Sequence, residues 1–429
     1  MSKIYFLICL FSISTITISQ TGWTWTPLAD LPIKISNNAV ESALIDGEPF
    51  VYSFGGIDST KLGSGITNRS YKYNVSTNNW TAIDPIPFSA NNIASAASTV
   101  KNKIYIIGGY TVLEDGTEVS SNEVIRYDPS TDTYLENGAN IPVPIDDQVQ
   151  CVWKDSLIYV ITGWSNTGNV PNVQIYNPSF DNWSMGTTTP DTYVYKVFGG
   201  SGTIIGDTIF YYGGASNGIS FPAQKKLRKG IINPSDPTDI TWSELEDGPV
   251  RKYRSACLTA DDMIYWLGGS SISYNYNGIA YDGGEGVDPL TSINRYNTRV
   301  GDWYLAESSP YGVMDFRGVA QIGPRSWIIA GGMHVDQEVS AKSYLLSIES
   351  VVGLINHPVQ NESLKISNNQ IMNDGHLMSV EIFGLDGRRI AELDEEERNL
   401  PDTGNQMVII KAKFKTRTIL HHKSPLNLE

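Results

Sequence analysis

Residues 254–269 read RSACLTADDMIYWLGG, and residues 317–332 read RGVAQIGPRSWIIAGG. In each, an arginine stands fourteen positions ahead of a Gly-Gly pair that ends an apolar run. The pair recurs at Gly55-Gly56, Gly108-Gly109 and Gly213-Gly214, and at Thr162-Gly163 with its first glycine replaced. The intervals stay near fifty residues and lengthen to sixty-three at the last. Each pair follows a segment such as FVYSF, IYVIT or IYWLG. Such β-branched and aromatic runs suit a half-buried pleated surface. Glycine there permits backbone geometry or a close approach that a β-carbon would obstruct.

Further markers share this period. Tyr73, Tyr127, Tyr176 and Tyr296 are followed seven residues on by Trp80, Tyr134, Trp183 and Trp303. In the fourth copy Ile232 takes the tyrosine's place, and NPSDPTD stretches the step to Trp242. Pro87, Pro142, Pro190, Pro249 and Pro310 lie seven or eight places beyond those aromatics. The sixth copy has its third strand at KSYLLSIE (342–349) and then no aromatic-to-proline strand. WTPLADLP near the N-terminus supplies Trp25 and Pro32 at the missing step. Six such units predict an all-β, six-bladed β-propeller over residues 22–349, closed by its N-terminal strand. One blade cannot bury both of its faces, so blades stack radially and closure removes the open ends. The repeat resembles the kelch family, whose Gly-Gly, Tyr and Trp are matched across residues 23–349.

Composition agrees with a turn-rich β protein: 18% of the 429 residues are charged, with 39 glycines and a formal charge of −15. That balance argues against nucleic acid, which needs basic surfaces to replace counterions. It also disfavours an anionic membrane. MSKIYFLICLFSISTITIS (1–19) has Lys3, an apolar run and then small residues, the pattern of a signal peptide. No later segment is long and apolar enough to span a bilayer as a helix. Cys151 and Cys257 are expected at equivalent places in different blades, as small buried thiols rather than a disulfide.

After a linker at 350–361, a separate C-terminal unit is expected at 362–425. VEIFGLDGRRIAEL (380–393) places two strands around Asp386-Gly387, a favoured hairpin turn. LPDTGNQMVIIKAKF (400–414) adds a strand in which Val408, Ile410 and Ala412 alternate with lysines. This stretch resembles the C-terminal sorting domain of type IX secretion cargo from Bacteroidetes, a small β-sandwich. The resemblance implies recognition by outer-membrane secretion machinery and a secreted or cell-surface location. The ending KTRTILHHKSPLNLE departs from the usual short basic finish.

Propellers bind ligands in loops at the channel mouth. Counting fourteen back from each pair gives Glu41, Ala94, Gln148, Gly199, Arg254 and Arg317 as a ring around that mouth. Arginines at this interval resemble the pocket arginines of peptide-binding kelch adaptors. Two guanidinium groups can form a fork for a carboxylate, sulfate or sugar acid. Alternatively, Arg317 pairs with Glu41 across the closure, with Asp146, Asp147 and Asp315 as further partners. Candidate ligand residues are therefore Glu41, Gln148, Arg254, Arg317, Asp315 and Lys252. The loop 270–290 adds Tyr274, Tyr276 and Tyr281, which can stack on sugars or simply pack. Asp282, Glu285 and Asp288 follow no known calcium-loop spacing, so no metal or other cofactor is expected. Glu41 or Asp315 with Lys252 or Lys196 could supply an acid–base pair. The acidic segment of sialic-acid mutarotases, which are six-bladed kelch proteins, is unmatched in GGASNGISFPAQKKL. Three readings follow: a secreted propeller binding a glycan or protein ligand, a mutarotase- or epimerase-like sugar enzyme, or a structural surface protein.

Overall fold

The computed structural model describes residues 22–348 and, beyond them, strands at 365–367, 370–372, 377–384, 389–393, 408–414 and 418–423. The segments read as signal peptide and linker lie outside the described residues. The chain divides into two compact units, Met1–Ser350 and Val351–Glu429.

Six four-stranded antiparallel sheets form the blades of the first unit, five of them running in chain order from the inner strand outward, with two-stranded ribbons at Tyr110–Val112/Glu118–Ser120 and Trp164–Ser165/Gly168–Asn169 beside them. Blade 1 is Ala39–Ile45, Glu48–Phe54, Ser70–Asn74 and Asn79–Ile83. The other inner strands are Ala96–Val100, Val149–Trp153, Val197–Ile205, Ala256–Ala260 and Ala320–Gly323. In blade 6 the outermost strand is Trp23–Pro27, antiparallel to Ser343–Ile348 with Trp25 opposite Leu346. Thus the chain's N-terminal strand closes the ring, as the Trp25–Pro32 step required.

Each blade buries apolar side chains against the next. Val40, Val51 and Tyr71 of blade 1 pack on Ala320 and Ile328 of blade 6, while Tyr52 and Phe54 pack on Ile104 and Ile125 of blade 2. The repeated aromatics add polar links. Tyr73 Oη donates to Asn78 at 2.7 Å and Tyr176 Oη to Asp181 at 2.5 Å, tying strand to turn. The indoles of Trp80, Trp183, Trp242 and Trp303 donate to Ala29, Ala139, Thr187 and Glu246 carbonyls near the outer edge of the preceding blade. Trp25 of blade 6 lacks this bond and packs edge-on against Tyr344, so ring packing together with the hydrogen bond suits tryptophan to the position.

Two expectations are corrected by register. In blade 4, Gly230 and not Ile232 stands opposite Trp242. A β-carbon on Gly230 would lie 2.6 Å from the Trp242 ring, so the indole fills the tyrosine's space. Cys151 is the third residue of its inner strand and Cys257 the second, so alternation sends them to opposite faces. They are not equivalent, and both are free thiols.

In the second unit a four-stranded antiparallel sheet has the order Arg389–Leu393, Leu377–Gly384, Val408–Phe414, Thr418–Lys423. The first two strands form the hairpin read from VEIFGLDGRRIAEL, with its Asp386-Gly387 turn outside the described residues. A separate antiparallel pair joins Lys365–Ser367 to Gln370–Met372. Among the described residues, no helix is long and apolar enough to cross a membrane.

Candidate functional site

Six residues at the mouth ends of the inner strands share a left-handed backbone: Asn37, Ala94, Asp147, Gly199, Arg254 and Asp315, with φ between 47° and 69°. The residues before five of them, Ser36, Ile93, Asp146, Tyr253 and Met314, bridge to the residue after each blade's glycine pair. In blade 4 the equivalent Phe198 pairs with Ala215. Backbone hydrogen bonds run from one ring residue to the next: Asp147 N to Ala94 O at 3.2 Å, Gly199 N to Asp147 O at 2.8 Å, and Arg254 N to Gly199 O at 2.8 Å. This is the ring that the interval of fourteen aimed at, and the count holds in blades 2, 4 and 5.

It slips in the other three. Blade 1 has seven-residue inner strands instead of five, so the ring residue is Asn37. Glu41 lies four positions further along the strand, about 13 Å inward at ~3.3 Å per residue. Blade 3 joins its inner strands by three residues, 154–156, and the ring residue becomes Asp147 rather than Gln148. In blade 6, where the register shifts between Gln321 and Gly323, Asp315 takes the place assigned to Arg317.

The corrected ring places opposite charges together. Arg254, 1% exposed, grips Asp147 through Nε at 3.1 Å and Nη2 at 2.5 Å, and reaches Asp315 through Nη1 at 2.9 Å. Arg317 Nη1 lies 3.4 Å from Asp147, and its Nη2 donates to the Gln148 carbonyl at 3.0 Å. Burial opposes charge on Arg254, and the neighbouring Asp147, Tyr253 and Asp315 more than offset it, so its pKa rises above the usual guanidinium value. The fork is therefore closed on the protein's own carboxylates. Arg317 does not pair with Glu41, whose carboxylate accepts from the Ser42 N–H at 2.8 Å instead. Burial pushes Glu41 up to about 7.

Lys252 does not face the mouth either. Its buried Nζ donates to Gly268 O at 2.9 Å, Ser292 O at 2.5 Å and Ser292 Oγ at 3.0 Å. Burial lowers its pKa to about 7. Lys196 pairs with Asp191. Thus the lysines weighed as bases are engaged elsewhere than Asp315 and Glu41, and those four groups do not converge. Asp282 and Asp288 accept backbone N–H groups from Gly284 and Asp336. Among the described residues no cluster of His, Cys, Asp or Glu has the arrangement of a metal site.

Beside Arg254 opens a cleft of about 120 Å³. It is lined by Tyr110, Glu118, Asp146, Asp147, Trp164, Phe198, Phe221, Arg254 and Tyr281. Four rings pack edge to face in one wall: Trp164 lies 5.5 Å from Phe198 and 5.4 Å from Phe221, and Tyr281 lies 5.0 Å from Phe221. Of the loop tyrosines, Tyr281 enters the cleft. Tyr274 is buried, with Arg254 5.5 Å from its ring. Tyr276 reaches across to Ile57, Ile93 and Tyr110 of blades 1 and 2. The loop 270–290 thereby crosses part of the mouth.

Asp146 and Glu118 are the carboxyls with no cationic partner within ion-pair distance among the residues of this cleft. Asp146 accepts from Ser120 Oγ at 2.6 Å. Burial and the adjacent Asp147 carboxylate raise its pKa well above the usual range; burial chiefly raises Glu118 as well. The sequence reading overlooked Tyr110, Glu118, Trp164, Phe198 and Phe221. A local signal existed for some: Tyr110 and Trp164 directly follow glycine pairs, and Phe198 precedes ring residue Gly199.

Known proteins share this architecture. The solved structure of YjhT superposes with a TM-score of 0.60 at 16% identity, over 76% of this chain and 98% of that one. Kelch-like protein terF of Aspergillus terreus is 26% identical over 244 residues, 53% of this chain and 49% of that protein. Human Kelch-like protein 23 is 22% identical over 305 residues, 67% of this chain and 48% of its own length. Human Kelch repeat and BTB domain-containing protein 12 is 31% identical over 153 residues, 33% of this chain and 24% of that protein. The chain thus spans half or less of the length of these curated relatives. The Attractin/LZTR1 β-propeller family matches residues 51–334, through blades 1 to 5 and into blade 6. With six blades, their glycine pairs and a strand-swapped closure in place, the chain belongs to the Attractin/LZTR1 β-propeller family.

Proposed function

We propose that this propeller is an exported recognition module that takes part of a protein or glycan partner into its mouth cleft. The observation that carries this is the cleft itself, whose walls come from blades 2, 3, 4 and 5 and combine packed aromatic rings with carboxyls. Its volume is well below the ~300 Å³ at which ordinary small-molecule pockets begin. It therefore suits one side chain or one sugar of a larger partner. A kelch propeller is a scaffold for ligand or protein binding.

Array binding tests the reading. The full chain should capture ligands on peptide or glycan arrays, and Phe221→Ala, which removes one wall, should weaken that capture at least tenfold. Captured ligands that bind Phe221→Ala as well as the parent would place recognition elsewhere. Export rests on the signal pattern at 1–19 and the resemblance of 362–425 to sorting domains. A reporter carrying residues 1–21 before it and 350–429 after it should reach the cell surface of a Bacteroidetes host equipped for type IX secretion. Periplasmic retention would overturn the sorting role.

A further inference from the structure

The chemistry of the cleft narrows the partner. Three carboxyls, Glu118, Asp146 and Asp147, line the cleft with Arg254, and Asp315 and Arg317 stand behind them in contact with Arg254 and Asp147. Arg254, the guanidinium that lines the cleft, spends its contacts on Asp147 and Asp315. Arg317 contacts Asp147 and the Gln148 carbonyl, and its buried, unpartnered Nε lies behind the cleft lining. Asp146 and Glu118 are left on the cleft wall beside Trp164, Phe198, Phe221 and Tyr281. Asp146 is buried and Glu118 half-buried, burial drives both toward the protonated form, and a ligand cation between them would favour their charged forms. Aromatic faces attract a cation and repel an anion. A carboxylate ligand in the cleft would meet two acids, and the Arg254 guanidinium there is already forked onto Asp147 and Asp315.

The surroundings say what carries the cation. Large aliphatic side chains stand exposed on the loops that follow the glycine pairs, around this same mouth: Ile219 at 97%, Leu62 at 59% and Val335 at 55%, with Leu113, Ile272 and Ile279 also exposed. Phe221 and Tyr281 of the cleft belong to two of these loops. Apolar groups concentrated around a mouth mark a macromolecular contact rather than capture of a free amine.

Resting on the reading of the cleft as a recognition site, the geometry points to a partner protein that inserts a lysine or arginine side chain between Asp146, Glu118 and the aromatic wall. Apolar residues flanking that cation cover the aliphatic rim. This class is opposite in charge to the acidic ligand suggested by the two arginines in the sequence.

Four capped peptides, Ala-Leu-X-Leu-Ala with X as lysine, arginine, glutamine or glutamate, test this against the full-length protein by calorimetry or ligand-observed NMR. The lysine or arginine peptide should bind at least tenfold tighter than the glutamine peptide, and the glutamate peptide weakest. Glu118→Gln and Asp146→Asn should each weaken the cationic peptide about fivefold or more. Glu118 lies on the two-stranded ribbon Tyr110–Val112/Glu118–Ser120 outside the four-stranded sheets, so its variant stays informative even if Asp146→Asn unfolds. Cationic peptides binding no tighter than glutamine, or unchanged by Glu118→Gln, would overturn the proposal. If a neutral or acidic peptide, or an arrayed glycan, binds and is lost with Phe221→Ala, recognition by the cleft stands and only the cationic class falls. If no ligand responds to Phe221→Ala, both fall.

Discussion

Arg254 answers at the level of one residue the question its spacing raises. Its three donors satisfy Asp147 and Asp315, carried by two other blades. Removing one member of a buried ion network strands the rest. Arg254→Ala should therefore destabilise the propeller by about 3–5 kcal/mol, seen as a lowered denaturant midpoint. Arg254→Lys should recover little of it, because one ammonium cannot replace a fork. Glu41 makes the opposite case. An unfolded glutamate ionises near 4.5, whereas Glu41 between blades holds its proton to about 7. The native state thus keeps a proton that the unfolded chain has lost, and stability falls as pH rises from 4.5 to 7. Glu41→Gln should add up to about 3 kcal/mol at pH 8 and almost nothing at pH 4. Unfolding curves at both pH values check the sign.

Among elements, the closing strand has the largest consequence. Trp23–Pro27 pairs along its length with Ser343–Ile348, and Trp23 contacts Tyr265 of blade 5 at 5.2 Å. Its removal uncovers the Ser343–Ile348 edge, which then invites pairing with other chains. A chain beginning after Pro27 should melt lower and scatter more light on heating than one beginning at residue 22. Glycine pairs impose a comparable local demand. Gly268 has φ +64°, and a β-carbon there would fall 2.2 Å from the Val313 carbonyl. Gly268→Ala should cost more than the roughly 1 kcal/mol of an ordinary glycine substitution, measurable by equilibrium unfolding.

At the scale of the molecule, the chain divides into two compact units between positions 350 and 351. The propeller encloses its own core, so a chain ending at residue 350 should retain the unfolding midpoint of the propeller transition in the full chain. Loss of that transition would make the tail part of the propeller's stability.

Much of this architecture was legible beforehand. Gly-Gly after an apolar run, Tyr before Trp, and Trp25 before Pro32 are local signals, and strand alternation and turn chemistry act over a few residues. They identified six blades, the swapped strand and the C-terminal hairpin. The site was legible only in part, because a fixed interval assumes equal inner strands. Seven-residue strands in blade 1 and a three-residue turn in blade 3 moved the ring from Glu41 to Asn37 and from Gln148 to Asp147. Arg254 finds its main partner 107 positions away. What the sequence by itself determined was the repeat and its closure, because those depend on short-range pattern. Only the tertiary structure decided which charges cancel and which carboxyls remain beside the aromatic wall, because ring closure brings distant blades to one mouth and electrostatics acts through space.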